Sequence, residues 1–170
     1  MAAKPQGRAA AAPAPAAEPV AEPVAEPAPR RHWLVKSEPD AFSWQQQVER
    51  GVEPWTGVRN HMAKANLMAM RAGDLAFFYH SNIGKEIVGV VEVVREAYPD
   101  PTVGPDDPKG DWVCVDVKAL APMPRPVTLA AIKAAPGLAD IALVRMSRLS
   151  VMPISAEHWA ALCAMGGWVE

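Results

Sequence analysis

Three polar and aromatic segments in the first half of the chain carry side chains that could hold a flat, hydrogen-bonding ring. They read KSEPD at 36–40, WTGVRN at 55–60 and FFYHSN at 77–82. Each segment falls where a strand or a helix should begin or end, and binding residues concentrate at such positions. We therefore expect the three segments to meet in one concavity, although roughly twenty residues separate each from the next.

A nucleic-acid base is the flat ring that these residue types suit best. A base that has left its stack needs apolar walls for its faces, fixed donors and acceptors for its edge, and cations or amides for the neighbouring phosphate. The candidate walls are Trp33, Trp55 and Tyr79. The candidate edge contacts are Ser37, Asn60, His80 and Ser81. The candidate phosphate contacts are Lys36, Arg59, Lys64, Arg145 and Arg148.

Most of these residues also fit an ordinary structural role. Trp55 lies in a predicted loop, where it either stacks on a base or covers the core. Asn60 precedes a predicted helix, which is typical of an N-cap. Ser37 directs its hydroxyl at a base edge or into a strand-ending turn, since the proline two residues later fixes extended backbone before it. Arg145 and Arg148 form either a local basic patch or a solvated outer face of a predicted strand.

The sequence gives little support to catalysis or to metal binding. His80 has no second His, Cys or paired carboxylate nearby in the sequence to complete a metal site. Two cysteines, Cys114 and Cys163, are too few for a disulfide framework or a metal cluster. We find no paired acids of defined spacing and no Cys/His nucleophile arrangement. We therefore expect a non-catalytic binder without a cofactor, with an enzyme acting on a modified nucleotide or RNA as the alternative.

Short helices are predicted to present the first two segments. A strand at 32–36 enters the core and ends at a turn. Ser43 and Gln46 form a capping box, which starts a helix that points Trp44 and Val48 inward. A second helix starts at the Asn60 cap and ends at Gly73. Its apolar face carries Ala63, Leu67 and Met70.

Strands dominate the rest of the chain. They are predicted at 75–79, 87–94, 112–117 and 143–151. An exposed loop at 98–110, rich in Pro, Asp and Gly, joins the second and third of these, and prolines at 122–126 end the third. Helices capped by Thr128 and by Ser155 follow, the last with Trp159 and Leu162 inward. Short strands interrupted by short helices indicate an α+β fold, a compact and partly open barrel.

Composition limits the type of partner. The net charge is −2 at pH 7, whereas proteins that coat phosphate backbones are usually strongly basic. A nucleic-acid binder of this composition needs a local basic patch or a specific pocket. Residues 1–31 are almost entirely Ala, Pro, Glu and Val without an aromatic residue, so we predict a disordered leader, which as an alternative could dock a protein partner. No segment reaches the roughly twenty apolar residues of a membrane span, and no secretory signal is evident. We expect a location in the cytoplasm, with association to the nucleoid as the alternative.

The motifs together resemble one family, the EVE domain. The matching segments are WLVKSEP at 33–39, WTGVRN at 55–60, GDLAFFYHSN at 73–82, GVVEVVREAYPD at 89–100, WVCVDV at 112–117, and LVR to RLSV between 143 and 151. They occur in order and at family-like spacing over residues 33–159.

This resemblance implies a PUA-like pseudo-barrel of five to six mostly antiparallel strands with flanking short helices, related to the YTH readers of methylated adenine. It implies a domain at 32–165, a C-terminal tail at 166–170, and a monomeric reader of a modified base, in DNA foremost and otherwise in RNA. Bacterial members often accompany restriction-type nucleases, so a separate nuclease is an expected partner. The family often has Gln or Tyr where this chain has His61, which leaves the base preference open.

Overall fold

One six-stranded sheet organises the residues that the computed structural model describes, 29–105 and 111–170. The strands are β1 His32–Ser37, β2 Val52–Pro54, β3 Leu75–His80, β4 Glu86–Pro99, β5 Val113–Thr128 and β6 Val151–Ile154. Their order in the sheet is β2-β5-β4-β3-β1-β6. β1 runs parallel to β3, and every other neighbouring pair is antiparallel. The sheet is open, and the predicted α+β class with mostly antiparallel strands is confirmed.

Four of the five described helices begin where a side chain can accept an otherwise unpaired backbone N–H. The five are α1 Trp44–Arg50, α2 His61–Ala69, α3 Leu129–Ala134, α4 Ala142–Arg145 and α5 Ala156–Gly166. Four of them carry the predicted N-caps, at Ser43, Asn60, Thr128 and Ser155, and the capping box with Gln46 is complete. α2 ends earlier than predicted, at Ala69, but its buried face is the expected one.

The inward face of α1 differs from the prediction. Val48 is exposed, and Gln47 is fully buried in its place. The Gln47 side-chain amide donates to the carbonyls of Gly51 at 3.1 Å and Val117 at 3.3 Å. The prediction that Val48 faces inward was wrong. Gln47 gains two backbone acceptors by facing the sheet, and it lies three positions after Trp44, on the same side of the helix.

β4 and β5 are longer than predicted and bend together through several register shifts. The predicted loop at 98–110 begins too early, because Tyr98 and Pro99 still belong to β4; positions 106–110 lie outside the described residues. The prolines at 122–126 do not end β5. After Lys118, no described strand pairs with the edge of β5 that faces away from β4. A proline lacks a backbone N–H, and on this free edge that absence costs no hydrogen bond between strands.

The predicted strand at 143–151 is the largest departure. The chain instead forms the short helix α4 and a turn, and only Val151 enters β6. Local bonds explain this, because the N–H groups of Arg145 and Met146 find acceptors four residues back, at Ile141 and Ala142. Arg148 and Ser150 therefore do not share a strand face.

The core lies between the sheet and the helices that cover it. Its largest fully buried side chains include Trp33, Phe77, Phe78, Leu67 and Leu162. Trp159 stacks on Phe77 with ring centroids 3.8 Å apart, which fixes α5 on the sheet. None of the described helices has the length and apolar character needed to cross a membrane.

Candidate functional site

A cavity of about 450 Å³ opens at the carboxyl end of β1. We call it the first cavity. Its walls come from the end of β1, the loop before α1, the end of α1, β2 and the loop that follows it, with Ser150 from the turn before β6. Sites for small molecules usually have volumes of about 300–1,000 Å³. The first cavity therefore has room for one flat ring, where the first two sequence segments were expected to meet.

Trp55 forms the aromatic wall of the first cavity. It is 7% exposed, and its ring makes edge contacts to Phe78 at 5.4 Å and to Phe42 at 6.3 Å between centroids. These contacts hold the indole rigidly, since aromatic rings favour such edge-to-face packing. Trp55 thus covers the core, which is one of the two roles left open by the sequence, and it also lines the cavity.

The loop that follows Trp55 is held by a buried carboxylate. Asp100 accepts hydrogen bonds from the N–H of Gly57 at 2.9 Å, from the Arg59 guanidinium at 3.1 Å and from Thr102. Burial raises the pKa of Asp100, but the hydrogen bonds from Thr102, Gly57 and Arg59 outweigh it and leave the pKa below its ordinary value. Arg59 is therefore anchored at the cavity wall.

Lys36 and Ser37 end β1 at the cavity and are both held in place. The Ser37 hydroxyl donates to the carbonyl of Phe42, which closes the turn before α1. The Lys36 ammonium donates to the carbonyl of Ser147 at 2.9 Å and lies 5.9 Å from the Tyr79 ring centroid. Burial lowers the pKa of Lys36.

The end of β3 borders a third cavity instead of the first. Tyr79 and Ser81 line this space of about 230 Å³, together with Lys36 and Lys85. His80 lines none of these cavities; its Nε2 accepts a hydrogen bond from the N–H of Trp44 at 3.0 Å, which supports the first turn of α1. The predicted convergence of all three segments on one pocket is therefore incomplete.

A second cavity of about 380 Å³ lies next to the first. Its lining residues are Asn60, Met62, Arg145, Met146, Ser147, Arg148 and Leu149. The Asn60 side chain accepts from the N–H of Ala63 at 2.9 Å and so acts as a helix cap. The two arginines expected near a phosphate do lie together here, on α4 and the turn after it, although they are not on a strand.

Two candidate residues lie away from the cavities. Trp33 is 1% exposed, and its Nε1 donates to Asp74 at 2.9 Å in the core. Residues in a strand advance about 3.3 Å each, so Trp33 is about 10 Å along β1 from Lys36, which corrects its placement among the pocket walls. Lys64 faces Trp112, with its ammonium 5.9 Å from the ring centroid.

The three cavities form one basic face on an acidic protein. In the described part of the chain, six cationic side chains and one carboxylate line them: Lys36, Arg50, Arg59, Lys85, Arg145 and Arg148, with Glu53. Lys36 is shared by the first and third cavities, and Ser147 by the second and third. Arg50 is paired with Glu53 and Arg59 with Asp100, so the local excess of positive charge comes mainly from the other four cations, on a protein whose net charge is −2.

Sequence reasoning missed Asp100 as the residue that holds the Trp55 loop. It was assigned to an exposed loop, and its distance of 43 residues from Gly57 gave no local signal. The sequence showed only an acid directly after Pro99, a combination that is also typical of an exposed turn. Within residues 29–105 and 111–170, no group of three His, Cys, Asp or Glu side chains could hold a metal ion.

Fold and site together define a PUA-like α+β domain with a basic, concave face. The chain belongs to the EVE domain family, whose model matches residues 31–165. It is 34% identical to human thymocyte nuclear protein 1 over 165 residues, which cover 75% of this chain and 70% of that protein.

Solved structures agree with this membership. The NMR structure of Rpa0253 from Rhodopseudomonas palustris shares 60% identity and a TM-score of 0.75, covering 82% of this chain and 95% of that one. Human thymocyte nuclear protein 1 in complex with DNA containing 5-methylcytosine shares 31% identity and a TM-score of 0.72, covering 82% of this chain and 99% of that one. An ASCH protein of Zymomonas mobilis, 13% identical with a TM-score of 0.53 over 83% of this chain and 99% of that one, shares the fold.

Proposed function

We propose that this protein binds DNA that carries a modified base and takes that base into the first cavity. The observation that carries the proposal is the position of this cavity, which opens within a face lined by six cations and one carboxylate. A related protein of the family has been solved with DNA containing 5-methylcytosine. A rigid aromatic wall next to cations is what an extruded nucleotide requires, for its ring and for its phosphates.

The residues that line the first and second cavities suggest which groups contact the base and which contact the phosphates. The Trp55 ring contacts the base, while the backbone of residues 56–58, held by Asp100, offers fixed polar groups to its edge. Lys36 and Arg59 lie at the wall, and Arg145 and Arg148 contact the phosphates of the flanking strand. Binding of this kind needs no covalent step, so we propose a reader and not a catalyst.

The test fills the first cavity without disturbing the core. Ala41 is exposed and lines the cavity, so Ala41→Leu places a branched side chain in its mouth. Ala160 is also an exposed alanine, lies on α5 and lines none of the three cavities, and Ala160→Leu is the matched control. Fluorescence anisotropy with oligonucleotides that differ only in one 5-methylcytosine measures both affinity and discrimination.

We expect wild type and Ala160→Leu to prefer the methylated DNA, and Ala41→Leu to lose most of that preference. Equal binding of plain and methylated DNA by the wild type would refute base reading. Preference for an RNA of the same sequence would assign the site to RNA instead. Discrimination that survives Ala41→Leu would place the base elsewhere on the protein.

A further inference from the structure

The second cavity carries two methionines whose exposure nothing in the core explains. Met62 is 51% exposed on α2, and Met146 is 39% exposed at the end of α4. Both line the second cavity, and neither is one of the buried residues of the hydrophobic core. Two long, exposed apolar side chains in one cavity are unusual for a solvated surface and point to a ligand with an apolar part.

This cavity adjoins the first at two points of the chain. Arg59 lines the first cavity and its neighbour Asn60 the second, while Leu149 lines the second and Ser150 the first. A ligand with one group in the first cavity therefore has its adjacent parts over the second. For an extruded base, those parts are the strand on either side of it and the gap that it leaves in the duplex.

The charges around the methionines fit that position. Arg145 and Arg148 lie in the same lining, and no carboxylate joins them among the described residues. The lining of this cavity thus combines two exposed apolar side chains with two cations. DNA-bending proteins show the same combination, in which an apolar side chain such as Met enters the stack while cations contact the phosphates.

We propose that Met62 and Met146 enter the DNA duplex at the gap left by the extruded base. This proposal rests on the proposed function and adds the requirement that the DNA be a duplex. The two methionines act as a wedge, and a wedge contributes to binding only where stacked base pairs must be separated. Extruding a base from a duplex costs a few kcal/mol in unstacking and unpairing, whereas a single strand avoids the unpairing cost and most of the gap. The methionines offset part of this cost by covering the exposed faces of the neighbouring base pairs.

The experiment compares one sequence as duplex and as single strand, each with one 5-methylcytosine. The double variant Met62→Ala/Met146→Ala should bind the duplex about tenfold or more weakly and the single strand within about twofold of wild type, since the single strand leaves little gap to fill. Met68→Ala is the matched control, because Met68 is 58% exposed on the same helix and lines neither cavity. Placing the methylcytosine opposite a mismatch should reduce the defect of the double variant, since a mismatched base is easier to extrude.

Unchanged duplex binding by the double variant would overturn the wedge, as would an equal loss on duplex and single strand. A failure of the proposed function would give a different result, because the wild type itself would then not distinguish methylated from plain DNA, whether duplex or single-stranded. A far-UV circular dichroism melt of each variant verifies folding. Met62→Leu/Met146→Leu, which keeps apolar bulk at both positions, should retain duplex binding.

Discussion

The carboxylate of Asp100 accepts a hydrogen bond at 2.9 Å from the backbone N–H of Gly57, which lies 43 residues earlier in the chain. Gly57 has a φ of +82°, a conformation that glycine adopts without strain. The same carboxylate holds Arg59 and Thr102. The loop that shapes the first cavity is thus fixed by one buried acid at the end of β4, and its rigidity depends on that acid being charged.

Asp100→Asn should therefore loosen the loop and destabilise the fold. An amide keeps one acceptor but turns a donor toward the N–H groups that the carboxylate satisfied, which costs about 1–3 kcal/mol for a buried group. Urea denaturation measures this loss. The control is Asp140→Asn, at an exposed acid in the loop between α3 and α4. If both variants unfold at the same urea concentration, Asp100 does not hold the loop.

The same hydrogen bonds make stability depend on pH in acid. Because the pKa of Asp100 is lower in the folded protein than its ordinary value near 3.8, its contribution is fully present above that value. It is lost as the pH falls from about 4 through the lower folded pKa. Denaturation midpoints between pH 5 and pH 2.5 should show a drop that is smaller in Asp100→Asn. An identical acid profile for both proteins would contradict this.

Gly89 should tolerate no larger residue. A Cβ at this position would lie 2.5 Å from three ring atoms of Trp44, and the ring is held in turn by Phe78 at 5.4 Å. Gly89→Ala must displace Trp44 or the strand, at a cost typical of overpacking, about 1–3 kcal/mol. Thermal melting checks this against Gly104→Ala, where an added Cβ meets nothing within 4 Å.

A double-mutant cycle shows whether Trp44 is the cause. Trp44→Leu alone is expected to destabilise the protein, but adding Gly89→Ala to it should cost less than in the wild type, because the obstructing ring is gone. Strict additivity of the two changes would mean that the glycine is needed for another reason, such as the register shift beside it in β4.

His80 should weaken the protein as it gains a proton. Its Nε2 accepts from the N–H of Trp44 at 3.0 Å, and a protonated ring has no free lone pair for that bond. Burial lowers the pKa of His80, with Glu86 opposing in part. The unfolded chain therefore binds the proton more readily, and stability falls as the pH drops below about 6.5 toward the folded pKa. Unfolding midpoints from pH 7.5 to 5 should decline in the wild type and decline less in His80→Gln, whose side-chain oxygen can still accept.

Local signals were enough to locate the helix starts but not the contacts that shape the site. Ser43, Asn60, Thr128 and Ser155 cap their helices through neighbours three residues on, so the sequence contains the whole interaction. Trp33 was misplaced because its partner Asp74 is 41 residues away. Proximity across the sheet decides such pairs, and no periodicity of a single segment encodes it.

The cavities illustrate the same limit. The first and third segments end adjacent, parallel strands, with Ser37 opposite His80 in the register of β1 and β3. Adjacent strand ends predict proximity, and alternation along β3 predicts that Tyr79 and Ser81 turn to one side and His80 to the other. Tyr79 and Ser81 turn to the third cavity, and His80 turns to the start of α1. The sequence was informative about the region and the alternation, whereas the side on which each cavity lies required the fold.

Lys36 should contribute to DNA binding through its charge more than to stability. Its ammonium is held by the Ser147 carbonyl at 2.9 Å, between the first and third cavities, and burial lowers its pKa. Lys36→Met keeps the apolar stem, so the melting temperature should change little. Removing one cation that meets a phosphate reduces the salt slope of binding, the change in log K with log salt concentration, by about 0.7–0.9. Anisotropy titrations of methylated DNA at several salt concentrations should show this reduction, and Lys118→Met, at an exposed lysine outside the three cavities, should not. A weaker affinity with an unchanged salt slope would mean that Lys36 shapes the cavity without meeting a phosphate.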